Sequence, residues 1–161
     1  MEIERKWLVE PGAIPYDLST LTALEIEQAY VSFSPVVRIR KINRGEKHIL
    51  TVKKLTTYGG LAAGESEHEI DGELYAFLLK QASGNVIAKT RYLHPLPSGL
   101  TEEIDVFSGQ LKGLAYLEIE FPDVEQAKQY PSPDWVKADV TYDRRYKNSA
   151  LALEGIPEGA F

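Results

Sequence analysis

The chain has no cysteine. That absence excludes disulfides, zinc thiolate centres, iron–sulfur clusters and thiol catalysis together. No long apolar run follows the acidic N-terminus, so neither a signal peptide nor a transmembrane helix is expected. The expected setting is the cytoplasm, with no membrane partner. Histidine is scarce, with His48, His68 and His94 the only three. His48 and His68 fall on the strand parity opposite the charged residues, and His94 precedes a proline turn, so all three are assigned structural or surface roles. Gly59-Gly60 lacks a following Lys-Ser/Thr and is not a phosphate-binding P-loop. Internal repeats, low-complexity tracts and linkers are also missing. The 161 residues suit one domain, 1–161, burying roughly 70% of its unfolded surface. A net charge of −6 argues against non-specific binding to nucleic acid.

What is present is a series of short strands. Glu2 to Val9 reads as the first and ends at Pro11-Gly12. Ile26 to Phe33 is the second, stopped by Ser34-Pro35. Val36 to Ile42 and His48 to Lys54 form a hairpin around Asn43-Arg44-Gly45-Glu46. Glu65 to Ile70 follows the Tyr58-Gly59-Gly60 turn. Val86 to His94 and Leu100 to Phe107 pair across Pro95-Leu96-Pro97-Ser98-Gly99, and Leu114 to Phe121 is the clearest late strand. Asp71 is placed as the N-cap of a helix over Gly72 to Ala82, with Leu74, Phe77, Leu78 and Ala82 on its buried face and Ser83-Gly84 stopping it. Asp123 to Tyr130 is a short helix, and Tyr142 to Leu153 contains a last one. Eight strands with few helices predict a mainly β (α+β) domain: a closed eight-stranded antiparallel β-barrel with short helices outside.

The charges on these strands carry the chemistry. Strand side chains alternate faces, so Glu2, Glu4 and Lys6 share one. So do Arg38 and Arg40, Thr51 and Lys53, Glu65, Glu67 and Glu69, Lys89 and Arg91, Glu103 and Asp105, and Glu118 and Glu120. Gln28 and Tyr30 are the polar pair of the second strand. A solvated face mixes signs, because like neighbours repel; here the signs are sorted by strand. The opposite parity, including Ile3, Trp7, Ile39, Leu50, Val52, Leu117, Ile119 and Phe121, is apolar and would pack outward beneath the helices. A barrel with a charged lumen accommodates both faces. Carboxylate-only clusters select Mg²⁺ or Mn²⁺, and Arg/Lys clusters recognise phosphate oxygens. Together they imply a metal-bound phosphate chain, whose phosphoryl transfer needs mainly positioning and charge neutralisation.

Glu2-x-Glu4-x-Lys6 resembles the ExExK signature of the CYTH superfamily, the triphosphate tunnel metalloenzymes. The resemblance covers nearly the whole chain. Gln28-Ala-Tyr30, Arg38-Ile-Arg40, Thr51-Val-Lys53, Glu67-His-Glu69, Lys89-Thr-Arg91, Glu103-Ile-Asp105-Val-Phe107, Glu118-Ile-Glu120-Phe121, Pro133-Asp-Trp135, Asp139-Val-Thr141 and Arg145-Tyr-Lys147-Asn148 come in the family's order. Trp7 stands where Phe is common. The short length and the Glu-Ile-Glu-Arg-Lys start look most like bacterial inorganic triphosphatases. The resemblance implies metal-dependent hydrolysis of inorganic triphosphate to diphosphate and phosphate, with two Mg²⁺ or Mn²⁺ ions. It implies that Lys6, Arg38, Arg40, Lys53, Lys89 and Arg91 hold triphosphate oxygens, and that Glu2 and Glu4 bind a bridging metal. Glu118 and Glu120 would hold a second metal that presents the water. Glu67, Glu69, Glu103 and Asp105 are further direct or outer-sphere metal partners, Tyr30 and Lys53 orient the water or assist the leaving group, and Arg145 and Lys147 help close the tunnel over the substrate. Trp135 is taken as a packing anchor.

Two other readings remain at this point. A class IV adenylate cyclase, or a nucleoside or thiamine triphosphatase, would act on the same group in esterified form. A non-catalytic polyphosphate-binding module would need the cations but not the carboxylates. A homodimer is compatible with the sequence.

Overall fold

The structure, a computed structural model, describes residues 1–161, the Leu55 side chain excepted. Its strands are β1 (Glu2–Leu8), β2 (Thr22–Phe33), β3 (Val36–Ile42), β4 (Lys47–Thr57), β5 (Ala62–Glu69), β6 (Ser83–Pro95), β7 (Thr101–Ser108), β8 (Ala115–Glu120) and a two-residue β9 (Ala138–Asp139). The α-helices are α1 (Gly72–Gln81), α2 (Val124–Gln129) and α3 (Asn148–Glu154). The strands run in the order β5-β4-β3-β2-β6-β7-β8-β1-β9, every neighbour antiparallel, and β5 returns to β1 to close the barrel. The eight expected strands are all there. β9, which had no strand-like pattern of its own, flanks β1 at Trp7 and Leu8. Closure is short: only Glu2↔Ala63 and Ile3↔Ala62 pair across the β5–β1 seam.

The alternation in sequence becomes inside and outside. On the outer face Ile3, Trp7, Ile104, Leu117, Ile119 and Phe121 are buried beneath α2 and its flanking segments. Arg5 shares that face and ties α2 down, donating to the carbonyls of Ala127 (2.7 Å) and Tyr130 (2.9 Å) and pairing with Asp139 at 2.6 Å. A second outer cluster joins Ala29 and Ile39 of the sheet to Tyr75 of α1. The Asp71 side chain caps α1 as expected, accepting from the Leu74 amide at 2.7 Å. The buried stripe differs from the predicted one. Tyr75, Leu78, Leu79 and Ala82 face the sheet, whereas Leu74 and Phe77 are 43% and 59% exposed. Both stripes fit a 3.6-residue period; the Tyr75 hydroxyl, which donates to Glu27 at 2.9 Å, sets the rotation. Ser83-Gly84 does not merely stop the helix. It opens β6 directly, after an extended Ala82.

The inner face has two layers. At one end Leu8, Tyr30, Ile87, Phe107 and Tyr116 form an apolar plug with Tyr146, Leu151 and Ala152 from the C-terminal segment. Gly84 allows α3 to seat there: its φ is +71°, and a Cβ on it would lie 2.8 Å from the Ala152 carbonyl oxygen. The charged residues line the lumen beyond the plug. No helix of the described residues is long and apolar enough to cross a membrane.

Candidate active site

Sheet order arranges the charges further than parity alone. The cation-bearing strands β4, β3 and β6 lie together, with neutral β2 between β3 and β6, and the acidic strands β7, β8, β1 and β5 complete the circle. One half of the barrel wall is therefore cationic and the other, Lys6 on β1 excepted, anionic. The lumen between them is a cavity of about 280 Å³. Arg38, Arg40, Lys53, Lys89 and Arg91 line it from one side, and Glu2, Glu4, Glu65, Glu67, Glu103, Glu118 and Glu120 from the other. A cavity of about 410 Å³ shares Glu2, Glu4, Arg38, Lys53 and Asn148 with it and adds Lys6, Tyr30, Phe33, Val36, Val140 and Lys147.

The floor is a buried ion cluster. Asp105, fully buried, accepts from Lys89 Nζ at 2.8 Å and from Arg91 Nε and Nη2 at 2.8 and 2.9 Å. Burial pushes its carboxyl up, but Arg91 and Lys89 outweigh burial and hold it below the usual carboxylate range. Lys89 shares that carboxylate with a stronger cation. Burial and the neighbouring Arg91 bring it down to about 8 against the pull of Asp105. Glu118 stands 3.6 Å from both Lys6 and Arg91. Burial raises its carboxyl, but Lys6, Arg91 and Lys89 leave it lowered, hence ionised. Lys6 in turn is raised, Glu118 and Glu4 outweighing burial.

Nearer the seam the balance reverses. Glu4 and Glu120 are direct cross-strand partners on β1 and β8. Glu4 is raised well above its ordinary value by burial, then by Glu118 and Glu2. Glu120 is raised by burial, then by Glu2 and Glu65, and Glu65 by burial and Glu2. Glu103 is raised to about 7, chiefly by burial. Burial, Arg38 and Arg91 lower Arg40 to about 10 although Glu67 stands 3.4 Å away.

Most of the residues singled out in the sequence meet here: Glu2, Glu4, Arg38, Arg40, Lys53, Glu67, Lys89, Arg91, Glu103, Glu118 and Glu120 on the lumen, with Lys6, Tyr30 and Lys147 on the adjoining cavity. Three do not. Asp105 lies beneath the cavity, in its floor, as the anchor of Lys89 and Arg91. Glu69 is exposed at the end of β5, past the last lumen residue. Arg145 is held by Asp143, its Nη2 at 2.7 Å from the carboxylate, and lines neither cavity. Glu65 was not singled out as a site residue, although its spacing to Glu67 signals the same face. The histidines stay off the lumen, His94 bonding Glu102 at 2.9 Å and stacking on Tyr16. Trp135 packs against the outer core and Tyr16, as expected of an anchor.

Among the described residues no three His, Asp or Glu side chains form a ready-made metal cage. The donor chemistry nevertheless fits a hard divalent ion. The facing carboxylates carry no competing nitrogen or sulfur ligands, and one oxygen each of Glu65 and Glu118 is buried without a hydrogen bond. Mg²⁺ is commonly held by one or two carboxylates, with phosphate oxygens and water completing its octahedron.

No family model matches the chain. It is 36% identical over 153 residues to an inorganic triphosphatase of Nitrosomonas europaea, covering 94% of this chain and 97% of that protein. It is 37% identical over 153 residues to an inorganic triphosphatase of Acetivibrio thermocellus, covering 93% and 92%. The crystal structure of the inorganic triphosphatase NE1496 superposes with a TM-score of 0.69 at 34% identity, over 98% of this chain and 97% of that one.

Proposed function

The chain belongs to the inorganic triphosphatase family, within the CYTH superfamily, and from that membership we propose that it hydrolyses inorganic triphosphate to diphosphate and phosphate, dependent on Mg²⁺ or Mn²⁺. The observation that carries the proposal is the division of one lumen into a cationic and an anionic half. Arg38, Arg40, Lys53, Lys89 and Arg91 would bind and orient the phosphoryl oxygens. Their burial strengthens each contact relative to water. Asp105 keeps Lys89 and Arg91 aimed and charged. Glu2, Glu4, Glu118 and Glu120 would hold the divalent ions, with Glu65, Glu67 and Glu103 around them. A metal bound there would polarise phosphoryl oxygens and supply an activated water. The plug and α3 close one end and exclude bulk water from it.

The larger adjoining cavity, with Phe33, Val36 and Val140 on its wall, has room for an organic group and supports an esterified triphosphate as the second reading. A phosphate-release panel separates them: inorganic triphosphate, ATP, thiamine triphosphate and long-chain polyphosphate, each with Mg²⁺ or Mn²⁺, with cyclic AMP followed in parallel. Inorganic triphosphate is expected to be turned over fastest, and excess chelator to abolish release. Undiminished activity in chelator would overturn the metal-dependent reading.

A further inference from the structure

Between the cationic strands β3 and β6 of the lumen lies β2, which contributes no charge there. Its inward residues at that depth are Gln28 and Tyr30, register partners of Arg40 and Arg38. Gln28 is 0% and Tyr30 1% exposed. Burying an uncharged amide in the middle of a phosphate-binding wall forfeits hydration and gains no attraction for an anion. Its hydrogen bonding shows what it contributes. Gln28 Nε2 donates to the Tyr30 hydroxyl oxygen at 3.1 Å. A hydroxyl has one proton to give, and among the described residues nothing accepts the one on Tyr30. Tyr30 lines the cavity shared with Glu4, Lys6, Arg38 and Lys53.

We propose that Gln28 is a positioning residue: by donating to the phenol oxygen it keeps the Tyr30 O–H free to donate into the substrate cavity, toward a phosphoryl oxygen on which charge develops. This rests on the triphosphatase reading. The opposite amide orientation is disfavoured by the surroundings. It would turn the carbonyl oxygen to Tyr30, absorb the hydroxyl proton, and leave an unpartnered NH₂ in a wall of arginines. In the present orientation the orphan is the Oε1 acceptor, which the positive field of Arg38 and Arg40 favours. A donor held in advance toward developing charge adds to transition-state stabilisation without reorganisation during reaction. The contact made by Gln28 itself is with Tyr30, so its effect should pass through that residue alone.

A double-mutant cycle tests this. Steady-state phosphate release from inorganic triphosphate with Mg²⁺ or Mn²⁺ is measured for the wild type, Gln28→Leu, Gln28→Glu, Tyr30→Phe and both double variants, beside melting temperatures. Gln28→Leu should lower kcat by about tenfold or more with KM nearly unchanged. On the Tyr30→Phe background it should cost nothing further in kcat. Gln28→Glu keeps the size and polarity of the side chain but its carboxylate accepts from Tyr30. It should lower kcat similarly, again only when the phenol is present, and it serves where Gln28→Leu fails to fold. Losses that multiply with Tyr30→Phe, or a wild-type kcat in Gln28→Glu, overturn the positioning role while the triphosphatase reading stands. A wild type that releases no phosphate from triphosphate overturns both.

Discussion

On the cationic half of the lumen, four of the five charges have ionic partners: Lys89, Arg91, Arg40 and Lys53 each lie within 2.8–3.6 Å of a carboxylate, while Arg38 has only the Thr51 hydroxyl, at 3.5 Å. On the anionic half Glu4, Glu65 and Glu120 have no ion-pair partner among the described residues, and burial with like-charged neighbours raises all three. Seven carboxylates face five cations across the cavity. The substrate-free lumen is short of positive charge. A polyanion entering alone would deepen that deficit on the acidic side. A polyanion arriving with divalent cations relieves both sides, since the phosphates meet the cations and the metal meets the carboxylates. The inequality therefore supports metal dependence independently of any relative.

Asp105 gives the largest way to break this comparison, because it is the fully buried acid that holds two of the cations, Lys89 and Arg91. Asp105→Asn leaves Lys89 and Arg91 buried beside a neutral amide. Removing one partner of a buried ion cluster costs about 3–5 kcal/mol. The expected outcome is a large fall in melting temperature that added Mg²⁺ or Mn²⁺ does not rescue. If Asp105→Asn melts like the wild type without metal and loses only metal-induced stabilisation, Asp105 is a metal ligand instead of an anchor.

A smaller effect separates the halves directly. Glu4→Gln removes one unpartnered charge from the acidic side. It should lower kcat by about a hundredfold, equivalent to about 2.7 kcal/mol, while the metal-free protein melts at the same temperature or higher. Arg40→Ala removes a cation already pushed down to about 10 by burial, Arg38 and Arg91. It should weaken substrate holding by about tenfold and shrink the melting shift produced by triphosphate, with little change in the apo protein. Equal losses of apo stability in both variants would make these residues structural ion pairs and remove the distinction between the halves.

The faces of the strands were legible because period two is a local property. Glu2, Glu4 and Lys6 needed no partner strand to be seen as neighbours. Depth was not legible. Glu103 and Asp105 share a face, yet one reaches the cavity and the other sits beside the Phe107–Tyr116 plug. Glu69 repeats the spacing of Glu65 and Glu67 but lies beyond the lumen, because where a strand leaves the barrel depends on its neighbours' lengths. The two half-walls were hidden for a similar reason. They require β2 to pair with β6 across the intervening β3, β4, β5 and α1, a non-local pairing that no spacing encodes. Arg145 and Lys147 stand two residues apart in the same short segment, and only the local bond from Arg145 to Asp143 decides which of them turns away.

The smallest predicted effect is the pH dependence of the metal-free protein, and it tests the charge deficit without any substrate. Glu103 is raised to about 7, and Glu4, Glu65 and Glu120 are raised as well, burial being the first cause for each. Between the ordinary carboxylate range and these raised values the folded protein binds more protons than the unfolded chain. Stability must then fall as pH rises through that window. Groups shifted the opposite way act outside it. Glu118, lowered by Lys6, Arg91 and Lys89 against burial, loses its contribution only below the ordinary carboxylate range, and Arg40, lowered to about 10, acts only above that value. Asp105, held low by Arg91 and Lys89, loses its contribution only in strong acid. Lys89, brought down to about 8, favours the folded state with rising pH only above that value. From pH 7.5 to 5.5 the acidic half should therefore dominate, and the apo melting temperature should rise by a few degrees, roughly 2–4 °C per kcal/mol for a chain of this size. Glu103→Gln removes one titrating group and should flatten the slope. Saturating Mg²⁺ with triphosphate should remove or reverse it, because the carboxylates are then held ionised by bound cations. A melting temperature that climbs with pH across this window in the metal-free wild type would mean that the carboxylates are already satisfied, and that the two halves of the lumen do not differ as described.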